Sequence, residues 1–310
     1  MTLGYDKPLY MLAFDHRGSF QKNLLGIAGI PNAAEAERIA DAKRILYEAF
    51  ELVIHNGVER ESAGLLVDEE FGADVAVRAK DAGVPLAMPV EKSGQAEFDF
   101  EFGDEFGDHI ERFDPTFAKV LVRYNPEGDP ELNRRQAHRL RTLSDWLHER
   151  RRKLLFELLV PATPEQLEQV GGDGERYDLE LRPALLVEAI RELQDAGVEP
   201  DIWKIEGLDR REDCERVARQ AREGGRDGVA CIVLGRGADE ARVLHWLEQG
   251  AGVPGYIGFA VGRTLWWDEL NDYVSGRLER EEAAQRIAAN YARMISAYRR
   301  ATSPHAAARA

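Results

Sequence analysis

Eight short apolar runs alternate with amphipathic stretches along this 310-residue chain, and that alternation limits what it can fold into. The runs cover residues 9–15, 63–68, 85–90, 117–124, 153–160, 202–207, 229–234 and 256–261. Apolar runs this short, bounded by Gly, Pro and Asp, predict buried strands. Helical periodicity is clearest over 33–56, 74–82, 131–151, 179–196, 211–223, 239–249 and 281–300. Asn32, Asp129-Pro130 and Thr163-Pro164 read as helix starts; Gly57, Gly83, Gly197, Gly224-Gly225 and Gly250 read as stops. An Ala-Gly-Val tripeptide recurs at 82–84, 196–198 and 251–253, each time just before a strand, as a left-handed helix cap would.

Eight strands alternating with helices predict an α/β fold, a single-domain (β/α)8 TIM barrel over residues 1–302, with 303–310 as a C-terminal tail. An open doubly wound sheet is the rival, but no glycine-rich dinucleotide turn follows the first run. Two connections are long. Residues 91–113 carry Phe98, Phe100, Phe102, Phe106 and Phe113, and residues 161–182 form a similar insertion after the fifth run. A lid, an oligomer contact and plain core packing are the readings for the phenylalanines.

The net charge of −15 excludes the basic footprint of a nucleic-acid partner. No apolar run reaches the length of a membrane helix, and no leader pattern opens the chain. Cys214 and Cys231 give neither a disulfide framework nor zinc spacing, which fits the cytoplasm. The seven histidines show no metal-ligand spacing, so neither a metal nor another cofactor is expected. Asp68-Glu69-Glu70 reads as a solvated loop run with a weak claim to a cation. A homo-oligomer is left open.

The sixth run carries the chemistry. In Ile202-Trp203-Lys204-Ile205-Glu206, strand alternation puts Ile202, Lys204 and Glu206 on one face and Trp203 and Ile205 on the other. Only eight of the 41 basic residues are lysines, so a lysine inside a strand calls for a reason that arginine cannot meet. Held among apolar walls, its amine is easier to deprotonate and can attack a ketone to form an imine. Glu157 on the neighbouring run is the first candidate for the proton shuttle, with Asp15 and Glu206 behind it. Lys119 can hold Glu157 or Asp15 ionised, and a barrel-filling ion-pair network is the alternative for all of these. In such barrels function sits at the C-terminal ends of the strands, where Asp15, His16, Arg17 and Arg123 also fall. Gly235-Arg236 and Gly262-Arg263 follow the last two runs, the usual phosphate position, where glycine admits backbone N–H groups and arginine binds oxygen pairs.

These residues carry a resemblance. Ala13-Phe14-Asp15-His16-Arg17-Gly18-Ser19, Asp68-Glu69-Glu70-Phe71-Gly72, Lys119-Val120-Leu121-Val122-Arg123-Tyr124, Phe156-Glu157, Trp203-Lys204-Ile205-Glu206 and Val261-Gly262-Arg263 resemble the class I tagatose-1,6-bisphosphate aldolase family, in the same order over nearly the whole chain. The chain is more closely similar to the domain fused behind the sugar kinase of bacterial inositol catabolism, here expected free-standing. The resemblance implies Lys204 as the imine lysine, Glu157 as general acid/base, Asp15 and Lys119 as supporting groups, and Gly262 and Arg263 as phosphate ligands. His16, Arg17, Arg123, Glu206, Gly235 and Arg236 are the further substrate contacts expected. It also implies a sugar phosphate as ligand. The expected reaction is cleavage of 6-phospho-5-dehydro-2-deoxygluconate to dihydroxyacetone phosphate and malonate semialdehyde. An aldolase for tagatose or sulfo-sugar phosphates, a non-catalytic sugar-phosphate barrel and a phosphosugar isomerase are the rivals. His16 replaces the family's usual glutamine, and Gly235-Arg236 stands where a serine and a small residue are usual.

Overall fold

A computed structural model describes residues 2–303; most of the expected tail, 304–310, lies outside the described residues. Eight parallel strands close into a barrel in sequence order. They are β1 (Leu9–Ala13), β2 (Ala63–Leu66), β3 (Leu86–Pro89), β4 (Phe117–Arg123), β5 (Lys153–Leu159), β6 (Ile202–Glu206), β7 (Ala230–Leu234) and β8 (Tyr256–Val261). β1 pairs with both β2 and β8, so β6 has no solvated edge. The helices are α1 (Ala33–His55), α2 (Glu69–Asp81), α3 (Phe106–Phe113), α4 (Pro130–Glu149), α5 (Pro164–Gln169), α6 (Gly174–Arg176), α7 (Arg182–Asp195), α8 (Arg211–Ala221), α9 (Glu240–Gly250), α10 (Arg263–Val274) and α11 (Arg280–Thr302). No helix among the described residues is long and apolar enough to cross a membrane.

Local chemistry explains the boundaries. Asn32 starts α1 with a full capping box, Asp129 caps α4 with Pro130 in its first turn, and Thr163 caps α5. Gly83 and Gly197 take φ of 70° and 83° directly after α2 and α7, the left-handed cap expected of the repeated tripeptide, whereas Ala251 after α9 is already extended (φ −61°, ψ 130°) and Gly252, at φ 73°, closes a turn beyond that helix. Two expectations need correction. Helix α2 starts at Glu69 rather than 74, because Asp68 caps it by accepting from Phe71 N at 2.8 Å. Asp68 is therefore a buried cap paired with Lys43, not a solvated loop carboxylate. The 91–113 connection is not an open loop: it contains α3, and Phe98, Phe100, Phe106 and Phe113 are buried. Only Phe102 is exposed, stacked on His109.

The core has two layers. Outside the barrel, strand side chains meet the helices; Trp203 and Phe156 pack there with ring centroids 4.9 Å apart. Inside, Leu9, Met11, Phe117, Leu155, Ile202 and Ile232 fill the lower barrel. Below them Asp201 accepts hydrogen bonds from Gly4 N and Leu154 N, both at 2.8 Å, and takes the Lys153 ammonium at 3.1 Å. The apolar plug ends abruptly. One step of the two-residue period above Phe117, Leu155 and Ile202 lie Lys119, Glu157 and Lys204.

Candidate active site

The β5–β6 register sets Glu157 directly opposite Lys204. Both are buried, and Lys204 Nζ lies 2.9 Å from Glu157 Oε2. The same Glu157 oxygen is 3.1 Å from Lys119 Nζ on β4. Lys119 also donates to Asp15 Oδ2 at 2.9 Å and to Glu91 Oε1 at 2.7 Å. The result is a buried chain of alternating charge, Lys204–Glu157–Lys119, ending in Asp15 and Glu91. The two lysines are not equivalent: Lys119 has three carboxylates and Lys204 has one.

Electrostatics divide these groups further. Burial opposes Lys119's charge, but Asp15, Glu157 and Glu91 outweigh it and raise its pKa well above the ordinary lysine value. Lys119 is thus locked as an ammonium. Burial also opposes ionisation of Asp15 and Glu157, yet Lys119 and Lys204 hold both below their ordinary values, with His16 adding to the pull on Asp15. Glu91 goes the other way: burial raises its pKa, and the pull of Lys119 does not cancel it.

The β8 end is built for a different task. Gly262 precedes α10 and offers no side-chain cap to its first N–H groups. A Cβ on Gly262 would lie 2.6 Å from Ala13 O and 3.0 Å from His16 Cε1, so only glycine fits. The Arg263 guanidinium rests on Gly237, whose φ is 73°, and touches Arg236 O at 3.4 Å. Arg263 makes no ion pair among the described residues. His16 stands beside it with its ring edge on Trp266, centroids 5.5 Å apart, and its Nδ1 unpartnered. Burial, offset only in part by Asp15, lowers the His16 pKa to about 4, so the imidazole is neutral near pH 7.

All twelve residues singled out in the sequence line one cavity of about 1220 Å³ at the C-terminal end of the barrel. Three of the arginines are already engaged. Arg17 donates to Glu101 Oε2 and to Glu91 O, both at 2.7 Å, and ties the first connection to the third. Arg123 donates to Gln95 O at 2.8 Å and has no ion pair among the described residues. Arg236, at a left-handed φ of 52°, lies 2.5 Å from Asp178 and 3.0 Å from Glu206. Gly235 packs under Val261, where a Cβ would come within 3.2 Å of a methyl group.

Sequence reasoning placed Glu91 after the third strand but gave it no role, and it missed Asp178 and Arg182. Glu91 continues the inward parity of Ala87 and Pro89, a signal that was available. Asp178 and Arg182 had no such signal, because the 161–182 connection folds back over β6 through contacts distant in sequence.

A closed (β/α)8 barrel with a buried lysine–carboxylate chain and an uncapped helix N-terminus at its mouth defines the class of this protein. It belongs to the family described as "Uncharacterized protein conserved in bacteria (DUF2090)", whose model matches residues 4–302. No curated protein matches the sequence. Among solved structures it is similar to a Schiff-base-forming fructose-1,6-bisphosphate aldolase, with 16% identity over 93% of each chain and a TM-score of 0.54. A Corynebacterium glutamicum protein shares 17% identity over 93% of this chain and 88% of its own, with a TM-score of 0.57. An archaeal fructose-1,6-bisphosphate aldolase, captured with its catalytic lysine bound to the carbinolamine intermediate, shares 16% over 92% and 94%, with a TM-score of 0.53. At these identities the likeness concerns the fold.

Proposed function

We propose that this protein is a class I aldolase that cleaves a ketose phosphate through an imine on Lys204. The observation that carries the reading is the unequal sharing of carboxylates: Lys119 is saturated by three, while Lys204 faces Glu157 alone. Lys204 passes a proton to Glu157, and its free amine adds to the substrate ketone. Glu157 returns that proton to the carbinolamine hydroxyl, which leaves as water and gives an iminium ion. Glu157, ionised again, then takes the proton of the hydroxyl on the far carbon of the bond to be broken. That carbon–carbon bond cleaves, its electron pair moves toward the iminium nitrogen, and an aldehyde departs. The enamine left behind takes a proton on carbon, and water releases the ketone product from Lys204. Lys119 stays protonated throughout and holds Glu157 in place. Arg263 and the first N–H groups of α10 take the phosphate. Two of the similar structures are described as fructose-1,6-bisphosphate aldolases that use this chemistry, which supports the reading.

In its finer form the substrate is 6-phospho-5-dehydro-2-deoxygluconate, yielding dihydroxyacetone phosphate and malonate semialdehyde. Its carboxylate then pairs with Arg123, which lacks an ion-pair partner among the described residues, rather than with Arg236, which has two.

The test is to add dihydroxyacetone phosphate and sodium borohydride, measure intact mass and map the modified peptide. An adduct on Lys204, absent from Lys204→Arg, is expected. Phosphate binding without any adduct would refute the imine and leave a sugar-phosphate-binding barrel. An adduct on Lys119 would keep the reaction class and overturn the assignment of its lysine.

A further inference from the structure

Four charged groups close over β6 at the cavity mouth, and the reaction above does not use them. Arg182, buried at the start of α7, donates Nε to Asp178 at 2.8 Å and Nη2 to Gly207 O at 2.8 Å. Its Nη1 lies 3.9 Å from Glu206. Glu206, which also accepts from Val160 N at 2.9 Å, and Asp178 together hold Arg236. Two guanidinium groups and two carboxylates sum to zero. Of the two guanidinium groups only Arg236 can reach an incoming ligand: its side chain is 35% exposed, against 1% for Arg182. Burial opposes the charge on Glu206 and raises its pKa, while Arg182 and Arg236 pull it back.

An arginine at the mouth of a cavity would ordinarily recruit an anion. Here its charge is already met, and an anion that came to Arg236 would also meet two carboxylates. Arg263, next along the barrel wall, has no carboxylate partner among the described residues. The two arginines are therefore set to behave oppositely toward the same ligand.

We propose that Asp178 masks Arg236, so that this mouth accepts anionic charge at Arg263 and only uncharged, hydroxyl-bearing substrate against Glu206 and Arg236. Asp178 is a specificity-determining residue on this assignment. The word substrate rests on the aldolase reading, whereas the masking itself does not. Replacing Asp178 by Asn keeps the size of the side chain and leaves the four-group set with a net charge of +1, opening Arg236 to a second anion.

The experiment is isothermal titration of wild type, Asp178→Asn and Arg236→Gln with inorganic phosphate at constant ionic strength, with circular dichroism to check folding. Wild type is expected to bind one phosphate per chain. Asp178→Asn is expected to bind a second at least about tenfold tighter than any second event in wild type, the scale of one charge-assisted hydrogen bond. Arg236→Gln is expected to keep its one phosphate, weakened by no more than about tenfold because the set is left with a net charge of −1. A second phosphate missing from folded Asp178→Asn overturns the proposal. So does loss of phosphate binding in Arg236→Gln, which decides the matter even if Asp178→Asn fails to fold. If wild type binds none and Asp178→Asn binds one, the masking stands and the Arg263 phosphate site falls. Borohydride trapping judges the aldolase reading separately.

Discussion

Replacing Lys119 by Met keeps the bulk of the side chain and deletes the one cation shared by Asp15, Glu91 and Glu157. Lys119 is 1% exposed, so water cannot take its place. Two buried carboxylates, Glu91 and Glu157, and the partly buried Asp15 would be left with Lys204, which touches only Glu157. Deleting one partner of a buried ion pair costs about 3–5 kcal/mol, and that is the loss expected at pH 7. The pH dependence gives a second handle. In wild type the folded-state pKa values of Asp15 and Glu157 are depressed, so their contribution is present above the unfolded carboxylate values and is lost only at lower pH. Without Lys119 the cluster takes up protons more readily folded than unfolded, with Glu91 first because its pKa is already raised. Stability of the variant then increases as pH falls. One such proton between pH 7.0 and 5.5 recovers about 2 kcal/mol. Urea denaturation followed by circular dichroism at both pH values measures this. A loss below about 1 kcal/mol at pH 7 would refute the reasoning, as would a gap between variant and wild type that does not narrow at pH 5.5.

Other substitutions separate the remaining roles. Glu157→Gln should lower kcat by roughly 10²- to 10⁴-fold, the usual worth of a positioned acid/base, while leaving phosphate affinity unchanged; steady-state cleavage assays and titration check this. Arg263→Gln should weaken phosphate binding by about 10- to 100-fold and raise KM for the phosphorylated substrate. His16 gives a signal in stability: its folded pKa of about 4 lies below the ordinary 6.5, so its contribution is complete above 6.5 and is lost as pH falls toward 4. Over that window the urea midpoint of wild type should fall relative to that of His16→Gln, and parallel curves would contradict the assignment.

What could be read from the sequence followed local rules. Strand alternation put Lys204 and Glu206 on the face of Ile202, and the barrel turns that face inward. Helix caps at Asn32, Asp129 and Thr163 were legible because capping needs only neighbours in the chain. The start of α2 was misread as a loop run, although Asp68 followed by Glu69 and Glu70 carries the local signal of an N-cap with an acidic first turn. What stayed hidden depends on contacts far apart in sequence. Asp178 and Arg236 are 58 residues apart, and no period or motif links them. The same holds for the buried phenylalanines of 91–113, whose pattern alone does not distinguish a lid from a core.

The rarity of lysine proves a partial guide. Lys7, Lys22 and Lys80 lie on the surface, where arginine would serve as well. Lys43, Lys119 and Lys204 are buried. Lys43 donates to Phe14 O at 2.9 Å, to His16 O at 3.1 Å and to Asp68, so its compact ammonium gathers three acceptors around one nitrogen. Lys119 gathers three carboxylates in the same way. A planar guanidinium fork presents its donors in a fixed plane and cannot reproduce either arrangement. These two lysines are fully used in holding the β1 segment and the carboxylates of the barrel. Burial alone therefore does not pick out the reactive amine; the number of acceptors around the nitrogen does. By that measure Lys204, with Glu157 as its one carboxylate, is the lysine that the proposed aldolase reaction assigns to the ketone.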